Sequence, residues 1–425
     1  MTAPTTVAFQ PHTRARLLRP ALRPLTSPQA RERSIRRTVF IVWALLLLNV
    51  IPFYKGTWNE LPLLIPIPSV IGKIITQGSL PLAFLLALRV NPRGLIRPNT
   101  LMFLLLLLPL AAVVAGIDPS NGHLVSTAYR TTRLTGFIIT IWLLTPWFGR
   151  RDLLIVRCHV GALWIVVGSI LLGLALSPGR AMAQGRLSGE FWPITPVQVS
   201  DYTAVLLGLI VVMWFCGELS RKATLWGVAI SAATLLLTHT RTEVIALVAG
   251  IFVAGMRMFA TESRVRKLFA YVGAVVSLGV TIFSGVLTTW LARGQSSSQL
   301  TKLTGRTVVW TGVLNMPRDR FQVLFGLGLS DKSFNGLPID SNWMAAYRDL
   351  GLFGVVICAG ALFFVFVAGY FQARSARTAL ALFMVTYLVV TSFTETGLSD
   401  ASAYLLELAM AGALILAPLG ERGPG

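Results

Sequence analysis

The sequence predicts an all-α polytopic membrane protein with about twelve transmembrane helices and one large extracytoplasmic loop that contains short helices. Hydrophobic residues make up 54% of the chain, charged residues only 13%, and the mean hydropathy is +0.70. Soluble domains carry about 25% charged residues. The apolar residues also fall in successive runs near the roughly 20 residues that cross a bilayer. No soluble domain of useful size fits between these runs.

The N-terminal two thirds of the chain are predicted to be a short tail followed by a bundle. Residues 1–37 are polar and basic, so we expect a cytoplasmic tail on the inner leaflet rather than a cleavable signal. Residues 38–290 are predicted to hold nine spans, at 38–54, 72–90, 100–117, 134–148, 152–176, 199–217, 223–239, 241–258 and 268–290. Prolines break the region before the second span, so 61–71 is open to being a re-entrant or interfacial piece.

Residues 291–343 are the one long polar interruption of the sequence. A long loop on a chain with few loops is the expected place for a site, and we predict that it lies outside the membrane. Residues 344–425 are predicted to form the last three spans, at 344–371, 378–394 and 400–418, and a short cytoplasmic tail.

Basic residues in the short connectors predict the orientation. Arginines crowd the N-terminal tail, and alternate connectors carry Arg89, Arg93, Arg97, Arg150, Arg151, Arg221, Lys222, Arg257, Arg264, Arg266, Lys267, Arg374 and Arg377. These connectors all fall on the side of the N-terminus, which is therefore predicted to be cytoplasmic. An even number of spans returns the C-terminus to the same side.

The connectors predicted to lie outside are also basic, and the net charge is +20. They hold Arg130, Arg133, Arg180, Arg186, Arg241, Arg293, Lys302, Arg306, Arg318, Arg320 and Lys332. The positive-inside rule predicts the opposite, so these charges need another reason. Anionic lipid headgroups would explain them, and so would a pocket for an anionic substrate.

Several site classes are not expected. The sequence has no GxxxxGK[ST] loop and no GxGxxG segment opening a helix, so no nucleotide cofactor is predicted. The four histidines are scattered and the three cysteines lie in apolar runs, which argues against a metal site. We therefore expect no metal, no other cofactor and no nucleic-acid partner.

Two short patches before the long loop could carry chemistry. The segment GRLSGEFWP, 185–193, contains Arg186 and Glu190. The turn THTRTE, 238–243, contains Arg241 and Glu243 between two apolar runs. Charged groups there need compensation, which favours a functional role.

Two further patches lie in and after the long loop. TGRTVVW contains Arg306 and Trp310, whose i, i+4 spacing would also suit one face of a surface helix. FGLGLS and LPIDSNWMAAYRDLGLFG contain Asp340, Arg348 and Asp349. Gly326 and Gly328 would equally make a simple turn, and Arg348 and Asp349 would equally pair with neighbours at the end of a span.

An arginine-rich face suits a diphosphate. Guanidinium groups bind phosphate oxygens bidentately and stay charged at any working pH. A nearby carboxylate can accept a proton from a hydroxyl nucleophile. Arginines can stabilise a leaving diphosphate electrostatically, so this chemistry needs no metal.

The order of these patches resembles the bacterial O-antigen ligase and polysaccharide polymerase family of membrane glycosyltransferases. That family has a rhythm of GR…W, then GxG, then HN…L…GxxG leading into a span, with a Ser/Thr-Arg-Thr turn upstream. Here it is matched by Gly305-Arg306…Trp310, Gly326-Leu327-Gly328, and Asp340…Gly351-Leu352-Phe353-Gly354. The motifs cover about 185–354. Asp340 stands where ligases carry histidine, which favours polymerisation on the lipid carrier over transfer to another acceptor.

The resemblance implies polymerisation of polyprenyl-diphosphate-linked oligosaccharide repeat units into an exopolysaccharide, capsule or O-antigen-like glycan. The reaction would take place at the outer face of a bacterial plasma membrane, with membrane lipid and other polysaccharide assembly proteins as partners. Catalytic roles are expected for Asp340, Arg241 and Glu243, with Asp340 as the base or acceptor-orienting group. Substrate binding is expected for Arg186, Arg306, Trp310 and Arg348. A ligase, a transporter or flippase, and a non-catalytic assembly partner remain alternatives.

Overall fold

A computed structural model describes residues 28–51, 53, 63–65, 67–118, 124–182, 185–271, 306–330 and 332–416. Its long helices before the polar loop are α1 (Pro28–Val50), α2 (Ser69–Val90), α3 (Thr100–Gly116), α4 (Leu124–Leu143), α5 (Leu154–Leu176), α7 (Pro196–Phe215), α8 (Arg221–Leu237) and α9 (Arg241–Phe259), with the single turn α6 (Pro178–Ala181) between α5 and α7. The later elements are α10 (Arg306–Leu314), α11 (Arg320–Phe325), β1 (Ser333–Phe334), β2 (Leu337–Pro338), α12 (Asn342–Phe371), α13 (Ala376–Thr391) and α14 (Ala403–Ile415). The described chain is therefore almost wholly helical, as predicted.

Among the described residues, five helices are long and apolar enough to cross a membrane. They are α2, α5, α7, α9 and α12. Three shorter apolar helices, α3, α13 and α14, accompany them. These lengths and compositions fit a multi-pass membrane protein.

Two helices begin earlier in the chain than the predicted spans. The segment 118–133 was expected to be a connector, but α4 begins at Leu124, so Arg130 and Arg133 lie inside the helix. They are accommodated there because both guanidinium groups contact the carboxylate of Asp400. The basic tail was expected to extend to residue 37, whereas α1 begins at Pro28.

Most of the predicted span 268–290 and the first part of the loop 291–343 lie outside the described residues.

Helix α13 lies at the centre of the bundle. It packs along α9 and also contacts α7, α12 and α14. Phe383 of α13 fills the space left by two glycines: a Cβ added to Gly208 would lie 1.9 Å from Phe383 Cζ, and one added to Gly250 would lie 2.8 Å from Phe383 Cδ2. Small residues on facing helices allow this close approach.

One end of the bundle is held by ion pairs between α1, the start of α5 and the connector after α7. Arg36 Nη2 lies 2.6 Å from Asp152 Oδ2, and Arg150 Nη2 lies 2.7 Å from Glu32 Oε1. Arg157 pairs with Glu218 at 3.1 Å. Basic side chains at this end therefore have acidic partners.

The opposite end contains 185–190, 238–240 and 392–402, and we call it the site end. Here α12 kinks at Gly351, where φ is +64° and ψ is −162°. The carbonyls of Arg348 and Asp349 accept hydrogen bonds from the N–H groups of Leu327 and Gly328 at 3.0 and 2.9 Å. The kink thus joins the residues after α11 to the helix.

Both glycines of this joint are required. A Cβ added to Gly326, where φ is +80°, would lie 2.4 Å from the backbone of Asp349. One added to Gly351 would lie 2.4 Å from the carbonyl of Leu324. The conformation is open essentially to glycine alone. The two motifs FGLG and GLFG are therefore two sides of one backbone contact.

Candidate functional site

The turn between α8 and α9 organises the site. His239 takes a left-handed conformation with φ +52°, which is uncommon for a residue with a side chain. Arg186 crosses to the turn, where its Nε donates to the carbonyl of Thr238 at 2.8 Å and its Nη2 donates to Thr240 Oγ1 at 2.9 Å. The Leu187 N–H donates to the carbonyl of Leu237 at 3.0 Å. The first two sequence patches therefore meet in space.

Arg186 remains a cation suited to an anionic ligand. Burial lowers the pKa of Arg186, and the carboxyl groups of Glu243 and Glu395 act in the opposite direction. An arginine stays charged despite such shifts. Only its Nε–H and one Nη2 hydrogen hold the turn, so the guanidinium keeps further N–H groups for an anion.

Arg241 and Glu243 occupy the first turn of α9. Arg241 is half-buried, whereas the Glu243 side chain is fully buried. Among the described residues, neither carboxylate oxygen of Glu243 accepts a hydrogen bond from an N–H or hydroxyl group, but the carboxyl group of Glu395 lies within hydrogen-bonding reach. The N-terminal end of α9 favours a negative charge at Glu243.

Asp340 faces Arg306, the first residue of α10. Arg306 Nε lies 3.6 Å from Asp340 Oδ2, and the Asp340 side chain is 43% exposed. Burial raises the pKa of Asp340, and Arg306 opposes that rise. Asp340 does not cap the helix that follows it, because Ser341 is the N-cap of α12 and its side chain accepts from the Met344 N–H.

The start of α12 is tied to the connector between α13 and α14. The Leu398 N–H donates to Asn342 Oδ1 at 2.6 Å, the Asn342 N–H donates to the Ser392 carbonyl at 2.9 Å, and Trp343 Nε1 donates to Ser392 Oγ at 3.0 Å. These bonds place Glu395, a residue of the connector, beside the site.

Glu395 links the two halves of the site. Burial, followed by repulsion from Glu243 and Asp201, raises the pKa of Glu395 well above its usual range, while Arg306 opposes the rise. Glu395 therefore interacts electrostatically with Glu243 on one side and with Arg306 and Asp340 on the other. Sequence reasoning missed it because TSFTETGLSD resembles an ordinary polar connector.

More carboxyl groups lie beneath this end of the bundle. Tyr387 of α13 donates to Asp201 Oδ1 of α7 at 2.8 Å. Glu407 of α14 is fully buried, and its oxygens have no hydrogen-bond partner among the described residues. Acidic groups inside an apolar bundle are costly and mark functional regions. In the sequence, Asp201 and Glu407 each stand inside an apolar run, and this is the signal that marks them.

Two of the expected binding residues have other surroundings. Trp310 packs in a small apolar cluster with Val309, Val313, Ile339 and Ala345. This cluster fixes α10 against the start of α12. The i, i+4 pair Arg306 and Trp310 does lie on one helix, as its spacing suggested.

Arg348 lies in a second group of charges. Arg318 stacks on Tyr347, with its Cζ 4.6 Å from the ring centroid, and donates to the Tyr347 carbonyl at 3.1 Å. Asp349, fully buried, forms an ion pair with Lys332 and accepts a hydrogen bond from Ser330 Oγ at 3.4 Å. Asp349 therefore pairs with a cation of the polar loop that precedes α12.

The site end can hold an anion and accept a proton. Arg186, Arg241 and Arg306 supply guanidinium groups, and Glu243, Asp340 and Glu395 supply carboxyl groups at different depths. A group transfer that displaces an anion needs both functions. No protein-family model matches the chain, and no curated protein matches it.

Proposed function

We propose that this protein is a membrane glycosyltransferase that polymerises oligosaccharide repeat units carried on a polyprenyl diphosphate. The observation that carries the proposal is the meeting of Arg186, the α8–α9 turn and buried carboxyl groups at one end of an apolar bundle. A lipid diphosphate in the membrane carries its anionic group at the membrane surface, which is where this end of the bundle would lie. The arrangement of motifs resembling the O-antigen ligase and polymerase family supports the same reaction.

In the proposed reaction, the acceptor sugar hydroxyl attacks the anomeric carbon of the donor. A new glycosidic bond forms, and the bond from the anomeric carbon to the diphosphate oxygen breaks with its electron pair. Arg186, Arg241 and Arg306 stabilise the leaving diphosphate. The hydroxyl proton passes to a carboxylate, for which Asp340 is the most accessible candidate, with Glu243 as the alternative.

The proposed topology has twelve spans in a bacterial plasma membrane, with both termini cytoplasmic and 291–343 outside. The basic connectors support it, and so does the position of the ion-paired end opposite the site end. In a variant lacking the native cysteines, single cysteines at Asn315 and Arg374, both exposed, should react oppositely with an impermeant reagent in intact cells. Labelling of both from outside would contradict the topology.

A second candidate function is transport of the lipid-linked glycan. Buried Asp201, Glu243 and Glu407 favour it, because transporters keep acidic groups within the bilayer for coupling ions. Asp201 and Glu243 lie near the site end rather than at mid-depth of their helices, which suits a reaction at the surface better.

Deletion of the gene and analysis of the lipid-linked glycans test the proposal. Accumulation of single repeat units on the lipid supports a polymerase. Accumulation of long lipid-linked polymer indicates a ligase, and accumulation of single units confined to the inner leaflet indicates a flippase. In nanodiscs, purified protein should elongate lipid-linked repeats in excess chelator. Loss of elongation that added metal restores would contradict the metal-independent scheme.

A further inference from the structure

A groove of about 650 Å³ opens between α1, α2, α3 and α4, outside the group of residues described above. Its floor is apolar and is formed mainly by Leu80, Pro81, Phe84 and Ile139. Val113 and Ile139 at its edge are 52% and 38% exposed, so the groove opens on the apolar flank of the bundle. A second cavity of about 290 Å³ between α3 and α4 shares Val113, Thr131 and Thr132 and lengthens it.

Two features of the sequence keep this groove open. Pro81 stands inside α2 and has no N–H to donate to the carbonyl of Gln77, so one helical hydrogen bond is missing on the side of the groove. Gly136 of α4 presents only hydrogen there, and an added Cβ would lie 3.6 Å from Leu80 Cδ2. A methyl group would fit at this position in ordinary contact, whereas a larger side chain would fill the groove.

The end of the groove nearest the site is polar and basic. Arg133 Nε donates to Asn49 Oδ1 at 3.1 Å, its Nη2 donates to the Asn49 carbonyl at 2.9 Å, and its Nη1 lies 4.0 Å from Asp400 Oδ1. Arg130 Nη1 lies 3.4 Å from Asp400 Oδ2. An apolar trough that ends at fixed guanidinium groups is complementary to an amphiphile with an anionic head.

The polar end of the groove and the proposed reaction site contact the same connector. Asp400 at its polar end and Glu395 beside Arg306 belong to the same connector, 392–402, between α13 and α14. A single amphiphile can therefore place its anionic group near Arg130 and Arg133, beside this connector, while its chain lies along α2 and α4.

We propose that the groove between α1 and α4 binds the isoprenoid chain of the polyprenyl diphosphate donor. The proposal rests on the proposed function for the identity of the lipid. The groove would hold the part of the chain nearest the diphosphate, and Arg133 and Arg130 would lie on the path of the anionic group toward the arginines of the site.

Photolabelling with an isoprenoid diphosphate that carries a benzophenone on the chain tests this assignment. The label should attach to peptides from α2 and α4 of the full-length protein in nanodiscs. Unlabelled polyprenyl diphosphate should displace it, and phosphatidylglycerol at the same concentration should not. Equal displacement by phosphatidylglycerol would make the groove an ordinary lipid contact and overturn the proposal.

Variants at Gly136 supply matched controls. Gly136→Leu should lower labelling of the groove roughly tenfold, the effect of about 1.4 kcal/mol, whereas Gly136→Ala should label like wild type. Unchanged labelling in a folded Gly136→Leu protein would refute the assignment. If that variant does not fold, a photoreactive phenylalanine at Thr132 should capture the polyprenyl chain, and one at Val248, 62% exposed on α9, should not; equal capture at both positions would also refute it.

The binding assay separates the two proposals because it requires no transfer. Specific labelling of the groove in a protein that makes no polymer would support lipid binding in the groove and contradict the proposed polymerase function. Polymer formation with the label attached elsewhere would support the proposed polymerase function and contradict lipid binding in the groove.

Discussion

Replacement of Arg186 by lysine tests the centre of the candidate site. The arginine makes two hydrogen bonds to the α8–α9 turn, through Nε to Thr238 and through Nη2 to Thr240. A lysine ammonium is a single point and cannot reproduce this planar fork. The variant keeps the positive charge beside Glu243 and Glu395. A loss of activity would therefore measure the contribution of the two-point hydrogen bonding by the guanidinium group and not that of its charge.

The structure sets the expected magnitude. A hydrogen bond from a charged donor contributes about 1.5–3 kcal/mol. If lysine keeps one of the two bonds to the turn, the loss of the other corresponds to roughly a 10- to 100-fold fall in rate, at about 1.4 kcal/mol for each factor of ten. We expect this loss in polymer formed per folded protein, with the variant still inserted in the membrane.

Arg180→Lys provides the control. Arg180 is exposed and belongs to the same stretch between α5 and α7, where its Nη1 reaches the Leu63 carbonyl at 3.5 Å. This variant should elongate lipid-linked repeats at the wild-type rate. The reasoning is refuted if Arg186→Lys also elongates at the wild-type rate, or if both variants lose activity equally.

Four further outcomes are expected. Asp340→Asn should lower turnover by roughly 10²–10⁴-fold if Asp340 is the base, and near-normal turnover would pass that role to Glu243. Arg241→Lys should lose most activity at normal expression, because only a guanidinium binds a diphosphate bidentately; a variant with full activity would argue for a headgroup contact alone. The raised pKa of Glu395 means that the folded protein holds a proton lost by the unfolded chain, so stability should fall as the pH rises above the ordinary value of 4.5. Thermal unfolding in detergent should show a weaker pH dependence for Glu395→Gln, and an identical pH dependence would contradict this. Gly351→Ala should lower the free energy of unfolding by about 1–3 kcal/mol because of strain and overpacking, whereas Gly360→Ala, with open space around the added methyl group, should change it little.

The sequence predicts the helical class well because apolar runs report burial or lipid contact directly. It fails at α4, where Arg130 and Arg133 suggested a connector. Their partner Asp400 is far away in the chain, and no local pattern shows that it will meet these two arginines. Similarly, the turn at Arg241 could be found from its charges, whereas its contact with Arg186 depends on how 185–190 folds back across the bundle.

Glu395 shows a different limit. A glutamate in a polar connector has no periodicity or motif that marks it as part of a site. Its surroundings arise from the bonds that join Asn342 and Trp343 to Ser392 and Leu398. Such tertiary contacts between connectors are specific to the folded chain, so a single sequence does not reveal them.

The joint between Gly326 and Gly351 also governs how this protein can be recombined with others. Its hydrogen bonds pair the backbone after α11 with carbonyls two and three residues before the kink of α12. A chimera that takes 306–330 from one protein and α12 from another must therefore preserve this register on both sides. The polar segment and the outer turns of α12 should be exchanged as one cassette, with cut points placed after Gly354 rather than at the apparent loop boundary near residue 343.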